Sequence, residues 1–490
     1  MSFVLVLTFL GVALFHGYYY ACALQLKNYR NREVFSVIKR SVIIDTFSFV
    51  LAATLTAVAF FIPEDYVNAH AFAVLTPSLI GVVVKALCFK GAKVTFTRRM
   101  KTIAAVYTVI LLAIGIVCVI FLPCLLGAVA SMTLPIVLLA NGSTLLFFKN
   151  KNKKYLDACR AKLKKDSPLI VAVTGSGGKT SVKNMLSTFL EEKGKTYATP
   201  KSYNTPLGIS SAVSTMDDDV EIFVAEFGAR KTGDVKELVD LVKPQIGVLT
   251  SIAAQHLETF GSIENVAKEK ISLLESTQTS YASAVVENVL PAATTKVKKE
   301  DIRINRLDIY GTAFTYEYKG EVYEVETQLL GLNNVYNLTL AITVAYDLGV
   351  SAEKIREKIP YIKATPHRLE GIDSEGVRII DDGYNVNPSG AEDAVRLLST
   401  YKGRKIVTTS GFVEVASDEE NEKFARFLAK TVDVVIVLGS KNKRALVAGL
   451  AGTVYYCVND LNECKKLYAD ILKKGDALLI TANLPESYCM

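Results

Sequence analysis

Residues 169–194 read LIVAVTGSGGKTSVKNMLSTFLEEKG, and the interpretation of the chain starts there. The apolar run Leu169–Val173 fits a strand buried on both faces. Gly175-Ser176-Gly177-Gly178 follows as a glycine-rich turn that opens into Lys179-Thr180. Beyond it Val182, Met185, Leu186 and Leu190 recur at helical spacing, and Gly194 closes the stretch. A strand, a glycine loop, Lys-Thr and a helix in this order make a cradle for phosphate. Glycines let backbone N–H groups converge on an anion, and the helix N-terminus adds its partial positive charge. Lysine supplies a full charge, and a threonine hydroxyl suits Mg²⁺. The spacing departs from the usual G-x-x-x-x-G-K-[ST]: position 173 is Val, and only two residues separate Gly175 from Gly178. A nucleotide is the expected ligand, with Gly175, Ser176, Gly177, Gly178, Lys179 and Thr180 around its phosphates.

Length and charge bound the rest. A chain of 490 residues has room for two to four domains. Residues 1–165 hold 19 Lys and Arg against 5 Asp and Glu, whereas the remainder holds 37 against 44. A basic, apolar front joined to a mildly acidic rear suits a membrane anchor carrying a globular part, and it argues against nucleic-acid binding by that part. Eight cysteines show no C-x-x-C pair and no nearby histidine, so neither a zinc site nor a disulfide framework is indicated.

Five apolar segments, about 2–25, 41–62, 67–88, 103–122 and 125–148, approach the roughly 20 residues needed to cross a bilayer. Basic residues follow the first (Lys27, Arg30, Arg32, Lys39, Arg40), the third (Lys90, Lys93, Arg98, Arg99, Lys101) and the fifth (Lys149 to Lys165). The other two connections carry only Glu64-Asp65 and Pro123-Cys124. That alternation implies an N-terminus outside and everything after residue 149 in the cytoplasm; a four-span arrangement stays open because the fourth connection is short. Asp45, His70 and Lys85 fall near span ends, where snorkelling to water is the expectation.

Further along, Asn204 and Pro206 lie in a loop leading to a short helix. The run Val220–Ala225 reads as a buried strand ending on Glu226, placed either to hold the Mg²⁺ of a nucleotide or to sit at a solvated edge. Ile246–Ile252 is a further strand, with His256 just past it, as a ligand or as a core histidine. A helix over Ile263–Glu275 carries Lys268 and Lys270, by themselves an ordinary solvated face. Residues 281–330 alternate apolar and polar, a hairpin turning at Lys319-Gly320. Gly331–Ile355 makes two helices split at Gly349, Tyr361–Pro366 a linker, and Val377–Ile380 opens a second α/β pattern. The fold class is an α-helical membrane domain (1–148) followed by two α/β domains: a P-loop-type parallel-sheet ATPase domain (149–362) and a Rossmann-like C-terminal domain (363–490).

The short stretches TGSGGKT (174–180), EFGA (226–229), SIAAQHLETFGS (251–262), AKEK (267–270), GLNNVYN (331–337), PHRLE (366–370) and DDGYNVNP (381–388) occur in this order. Together they resemble the Mur ligases, and among these the type that adds D-alanyl-D-alanine to a muramoyl tripeptide. The likeness covers about residues 167–490, the family's ATPase and C-terminal domains. It implies that ATP phosphorylates a carboxylate and that an amine, from an amino acid or dipeptide, attacks the acyl phosphate. In that reading Lys179 holds the terminal phosphates, Thr180 and Glu226 bind Mg²⁺, and His256 binds a second Mg²⁺. Lys268 falls where the family often has a carbamylated lysine. Asn334 contacts the adenine, Arg368 reaches the phosphates from the C-terminal domain, and Asp382 anchors the ribose. Asn204, Tyr384, Asn385 and Asn387 line the substrate side.

Three departures qualify the resemblance. The family's histidine in G-x-H-N-x-x-N is Asn333 here, and its K-G-S-R segment is replaced by Thr481-Ala482-Asn483-Leu484-Pro485. Its N-terminal domain for the uridine diphosphate end of the substrate gives way to the apolar segments, which implies a lipid-linked acceptor. Poly-γ-glutamate synthase-like ligases also join an anchor to such an ATPase, but PHRLE and DDGYNVNP favour the peptidoglycan type. A tethered nucleotide-binding regulator would need no paired metal ligands. A transporter would need polar residues inside the spans, and the sequence shows almost none there.

Overall fold

The computed structural model describes residues 3–26, 29, 31–59, 75–83, 85, 94–121, 126–131, 133–384, 386, 388–412 and 418–482. The chain divides into two compact units, 1–153 and 154–489.

The first unit is helical: α1 (Phe3–Leu26), α2 (Asn31–Ala59), α3 (75–83), α4 (Arg98–Phe121), α5 (Leu126–Ser131) and α6 (Thr133–Asp166), which continues past residue 153. Among the described residues, Leu7–Gln25 and Arg98–Cys118 are long and apolar enough to cross a membrane, and Val42–Leu55 is a shorter apolar helix. Its surface reverses the pattern of a water-soluble bundle. Ile43, Phe47, Val109 and Phe121 are exposed, while His16, Tyr20, Asp45 and Lys85 are buried. Lys85 Nζ lies 2.6 and 2.7 Å from the two Asp45 oxygens, 3.1 Å from the Tyr20 hydroxyl and 2.9 Å from His16 Nδ1. An ammonium can only donate, so His16 Nδ1 accepts, which leaves its Nε2–H to donate to the Ser78 carbonyl at 3.3 Å. This corrects the expectation that Asp45 and Lys85 snorkel: their side chains turn inward and pair, because a charge removed from water needs an opposite charge beside it. The same cluster corrects the expectation of a helical part almost without internal polar groups. His70 lies outside the described residues.

The second unit is built on β1 (Leu169–Thr174), central in a six-stranded parallel sheet of order β2-β3-β1-β4-β5-β6. Its other strands are β2 (Thr196–Ala198), β3 (Ile222–Glu226), β4 (Ile246–Leu249), β5 (Thr279–Ala282) and β6 (Thr294–Lys296). Val171 and Val173 point to one face, onto Val182, Met185 and Leu186 of α7 (Lys179–Leu190) and onto α12 (Leu332–Asp347). Ile170 and Ala172 point to the other, where Leu163, Ile209 of α8 (Pro206–Thr215), Leu238 of α9 (Asp234–Val242) and Leu273 of α11 (Ile263–Glu275) close the core. That two-sided burial explains why β1 reads as one continuous apolar run. The four-residue α10 (Leu257–Phe260) precedes α11.

The hairpin expected over 281–330 is part of a three-stranded antiparallel sheet, β7 (Ile302–Asp308), β8 (Gly311–Tyr318) and β9 (Glu321–Thr327). Its turn is at Lys319-Gly320, both at positive φ. After α13 (Ala352–Lys358) comes a second six-stranded sheet, order β10-β11-β15-β12-β13-β14. Its strands are β10 (Glu370–Ser374), β11 (Val377–Asp381), β12 (Lys405–Thr409), β13 (Val434–Leu438), β14 (Val454–Val458) and β15 (Ala477–Thr481). Only the β10–β11 pair is antiparallel. The helices α14 (Pro388–Ser399), α15 (Asp418–Thr431), α16 (Lys443–Gly449) and α17 (Leu461–Ile471) complete it, with Val407 and Val435 facing α14 and α15. Ile406 and Val434 face Cys464 of α17.

Candidate functional site

The strand order places the site. The chain leaves β1 toward β2 and β3 on one side and crosses to β4 on the other, so a crevice opens beyond the strand ends, where such sheets bind ligands. Glu226 ends β3 in register with Val173, and Thr250 follows β4 beside Thr174. Between them runs the loop 175–178. Its backbone geometry demands glycine at two points: Gly178 caps α7 at φ 76°, and a Cβ there would stand 2.4 Å from the Asn337 amide oxygen of α12. At Gly175 a Cβ would stand 2.0 Å from Thr250 Oγ1. The strand expected over Ile246–Ile252 stops at Leu249 because the residues beyond it grip this loop. Gly177 N–H donates to Ser251 Oγ at 2.8 Å, and Ala253 N–H to Ser176 Oγ at 2.9 Å.

Glu226 is 1% exposed and is the focus of the loop's far side. The Thr180 hydroxyl donates to its Oε2 at 2.8 Å, and the Asn204 amide to its Oε1 at 3.0 Å. Sequence reasoning placed Asn204 among substrate residues; the structure ties it to this carboxylate. Lys183, one turn after Lys179, lies 3.7 Å from Glu226 and donates to the Thr199 and Lys201 carbonyls at 2.6 and 2.7 Å. Burial holds its ammonium below the usual lysine range. Lys183 went unremarked in the sequence, although it falls at helical spacing with Leu186 and Leu190 on the packed side of α7. A buried carboxylate facing a hydroxyl is a donor set for a hard divalent cation, so Thr180 and Glu226 fit Mg²⁺.

Two lysines meet on one carbonyl. Lys179 Nζ donates to Gly175 O at 2.8 Å and Lys270 Nζ at 3.1 Å. Burial pushes Lys179 down to about 8, with Arg368 adding to the fall and Glu226 opposing it. Burial and the neighbouring Lys179 push Lys270 down to about 7. Lys268, by contrast, is exposed. Residues two apart on a helix point roughly 200° apart, so both cannot face the loop. The assignment to Lys268 is therefore corrected: Lys270 is the lysine at the site. Its signal was present, since Val266, Lys270, Leu273 and Leu274 share one helical face. Between the two lysines Glu269 turns to α9, accepting from Gly233 N and Val235 N at 2.9 and 2.7 Å.

An open cleft lies over the loop, lined by Ser176, Gly178, Asn334, Arg368, Asp382 and Tyr384 among others. Both α/β domains contribute. Asn334 donates to Leu330 O at 2.9 Å, and Asn333 turns to Asp393 at 3.3 Å. Asn337, which sequence reasoning did not single out, shares the cleft wall. The Arg368 guanidinium lies 4.7 Å over the Tyr384 ring, and the Tyr384 hydroxyl is 3.2 Å from Ser202 Oγ. Burial pushes Asp382 up to about 7, against the opposing pull of the Leu369 N–H and of Arg368. His256 is half-buried in a left-handed conformation, φ 52°, directly after Gln255, which lines the cleft. Asn385 and Asn387 lie outside the described residues, as do Asn483, Leu484 and Pro485.

Comparison with known proteins agrees with this layout. Residues 173–345 match the family described as Mur ligase middle domain, and residues 367–484 the Mur ligase, glutamate ligase domain. The UDP-N-acetylmuramoyl-tripeptide–D-alanyl-D-alanine ligase of Escherichia coli is 26% identical over 268 residues, covering 51% of this chain and 59% of that one. Its Bacillus subtilis counterpart is 26% identical over 263 residues, covering 51% and 58%. The chain thus spans less than two thirds of the length of these relatives. Among solved structures, a MurF ligase from Thermotoga maritima in complex with ADP superposes with TM-score 0.61 at 24% identity, covering 68% of this chain and 80% of its own. MurF from Acinetobacter baumannii gives 0.61 at 20% identity, covering 69% and 78%.

Proposed function

Because the chain belongs to the Mur ligase family, we propose that it is an ATP-dependent amide ligase of cell-wall synthesis, held at a membrane by residues 1–148. The observation that carries the reading is the set converging on one cleft: Thr180 and Asn204 on the buried Glu226, two under-neutralised lysines on the loop, and Arg368 across from them. The reaction transfers the γ-phosphoryl group of ATP to a carboxylate oxygen, releasing ADP. An amine then attacks the acyl carbon, the amide forms, and inorganic phosphate leaves. Such chemistry depends on positioning and charge neutralisation. Lys179 faces the terminal phosphates, and Arg368 brings a second cation from the C-terminal domain, which calls for closure before chemistry. Thr180 and Glu226 would hold Mg²⁺, with His256 the candidate for a second ion; the metal neutralises phosphate charge. Lys270 takes the carbamate role first read for Lys268: its amine, with a pKa of about 7 and so about half neutral at pH 7, can add CO₂ and lose a proton to become an anionic oxygen donor. Asn334 and Asp382 serve the nucleoside end, and Tyr384 the amine side.

The helical unit supports the membrane part, since large apolar side chains face outward and charges face inward. With basic loops in the cytoplasm, the cleft would lie where ATP is, and the acceptor would be a lipid-linked carboxylate. The amine donor is a D-alanyl-D-alanine-like dipeptide or an amino acid. The test uses full-length protein in lipid with ATP, Mg²⁺, a membrane-lipid extract and, in turn, D-alanyl-D-alanine, single D-amino acids and glutamate. Phosphate release that needs both amine and extract, with the matching mass gain on a lipid, is the expected result. Equal rates on soluble UDP-muramoyl peptide would remove the lipid-linked acceptor. Tight ATP binding without phosphate release under any condition would leave a tethered regulator instead.

A further inference from the structure

Arg368 stands on a turn whose backbone is held in a conformation that its residues do not favour. His367 has φ 61° and Leu369 φ 47°, two left-handed non-glycine residues flanking the arginine. Such residues persist only where surrounding contacts over-determine them. Here the contacts are specific. His367 Nδ1 is 2.7 Å from Asp381 Oδ2, and the His367 N–H donates to Glu370 Oε2 at 3.0 Å. Leu369 N–H donates to Asp382 Oδ1 at 3.1 Å, and Tyr384 N–H to the His367 carbonyl at 3.1 Å. Asp381 is itself fixed, since its Oδ1 accepts from Gly383 N–H at 3.0 Å and its strand pairs with Glu370 of β10.

Packing does not hold the histidine: its side chain is 63% exposed. The Asp381 contact is what remains to hold the imidazole. The arginine beside it rests on an aromatic face. We propose that His367 is a positioning residue, its imidazole latched to Asp381 so that the left-handed turn aims the Arg368 guanidinium over the nucleotide cleft. The proposal rests on the reading that Arg368 faces the phosphates.

The experiment measures MgATP affinity by calorimetry on the full chain, alongside ligation rate and thermal unfolding. His367→Gly frees the backbone but removes the latch; His367→Asn tolerates the left-handed conformation and can still donate to Asp381. A charge-assisted hydrogen bond is worth about a tenfold change in binding, so His367→Gly should weaken MgATP about tenfold with its melting temperature retained, and His367→Asn much less. In an Arg368→Ala background, His367→Gly should add nothing further. Equal loss in both backgrounds, or no loss on the wild-type background while Arg368→Ala weakens MgATP, overturns the latch. If Arg368→Ala itself leaves MgATP binding unchanged, the assignment of Arg368 to the phosphates fails and the latch falls with it.

Discussion

In the helical unit Lys85 is enclosed with the Asp45 carboxylate at 2.6 and 2.7 Å, whereas in the cleft Lys179 and Lys270 share the single carbonyl of Gly175 at 2.8 and 3.1 Å. Both regions bury lysine nitrogens. The first supplies a full counter-charge, a phenol and an imidazole nitrogen, so the ammonium is satisfied from within. In the second, two positive groups crowd one neutral acceptor, and their pKa values fall to about 8 and about 7. A buried cation whose partner is a carboxylate is a structural element; buried lysines left short of negative charge form a receptor for an anion.

The sharpest way to break this contrast is to remove one lysine from each region. Lys179→Met should lower the ligation rate by about 10²–10³-fold, the loss expected when one charge-stabilising donor is removed, with the melting temperature kept. Lys85→Met should do the reverse: it strands Asp45 and should destabilise by about 3–5 kcal/mol in detergent-based unfolding. The double change Lys85→Met with Asp45→Leu should recover most of that stability. If the double variant stays as unstable as the single one, or if either single change acts on the other's readout, the two lysine sites are not of different kinds.

Glu226→Gln probes the cation side of the same cleft. It keeps the shape but removes the charge, and its single amide oxygen can accept from only one of Thr180 and Asn204. The Mg²⁺ concentration for half-maximal activity should rise about 10–100-fold, read from a magnesium titration.

A smaller effect sharpens the electrostatics. Both cleft lysines have depressed pKa values, so near pH 8 the free protein has lost part of their protons. In CO₂-free buffer, where Lys270 is a free amine, a bound phosphate chain raises the values again, and binding should take up on the order of one proton at pH 8 and almost none at pH 6. Calorimetry in buffers of different ionisation heat measures it. The linked stability effect has a definite sign: the unfolded lysines keep their protons to about pH 10, so the nucleotide-free protein gains stability as pH rises from about 7 to 10. Lys270→Ala should reduce the proton uptake. Lys268→Ala, on the solvent side of the same helix, should leave it unchanged and shift stability by less than about 0.5 kcal/mol.

Much of the second unit was legible in the chain itself. β1, its glycine loop and α7 were readable because a doubly buried strand is a continuous apolar run and a phosphate loop needs glycine where a Cβ would collide. Glu226 was readable as a strand-end carboxylate, and α11 was bounded correctly because Ser262 caps it and its apolar stripe ends at Leu274. The choice between Lys268 and Lys270 was recoverable too, from the stripe shared with Val266 and Leu273. Asn204 was placed in the right loop, but its bond to Glu226 was not readable, since a loop residue's neighbour is set by how the loop folds back and not by its spacing.

What the sequence determined is local: periodicity, punctuation and the residue types a phosphate loop demands, each a matter of a few adjacent residues. What only the tertiary structure decided is the pairing of charges distant in the chain. Asp45 and Lys85 are 40 residues apart and were read as separate water-seeking ends until three helices brought them together with His16. His367 found Asp381, and Arg368 found Tyr384, through strand pairing and a left-handed turn. The physical reason is the same throughout. Side-chain electrostatics depend on distance and burial, and both come from how the elements pack rather than from the order of residues within any one of them.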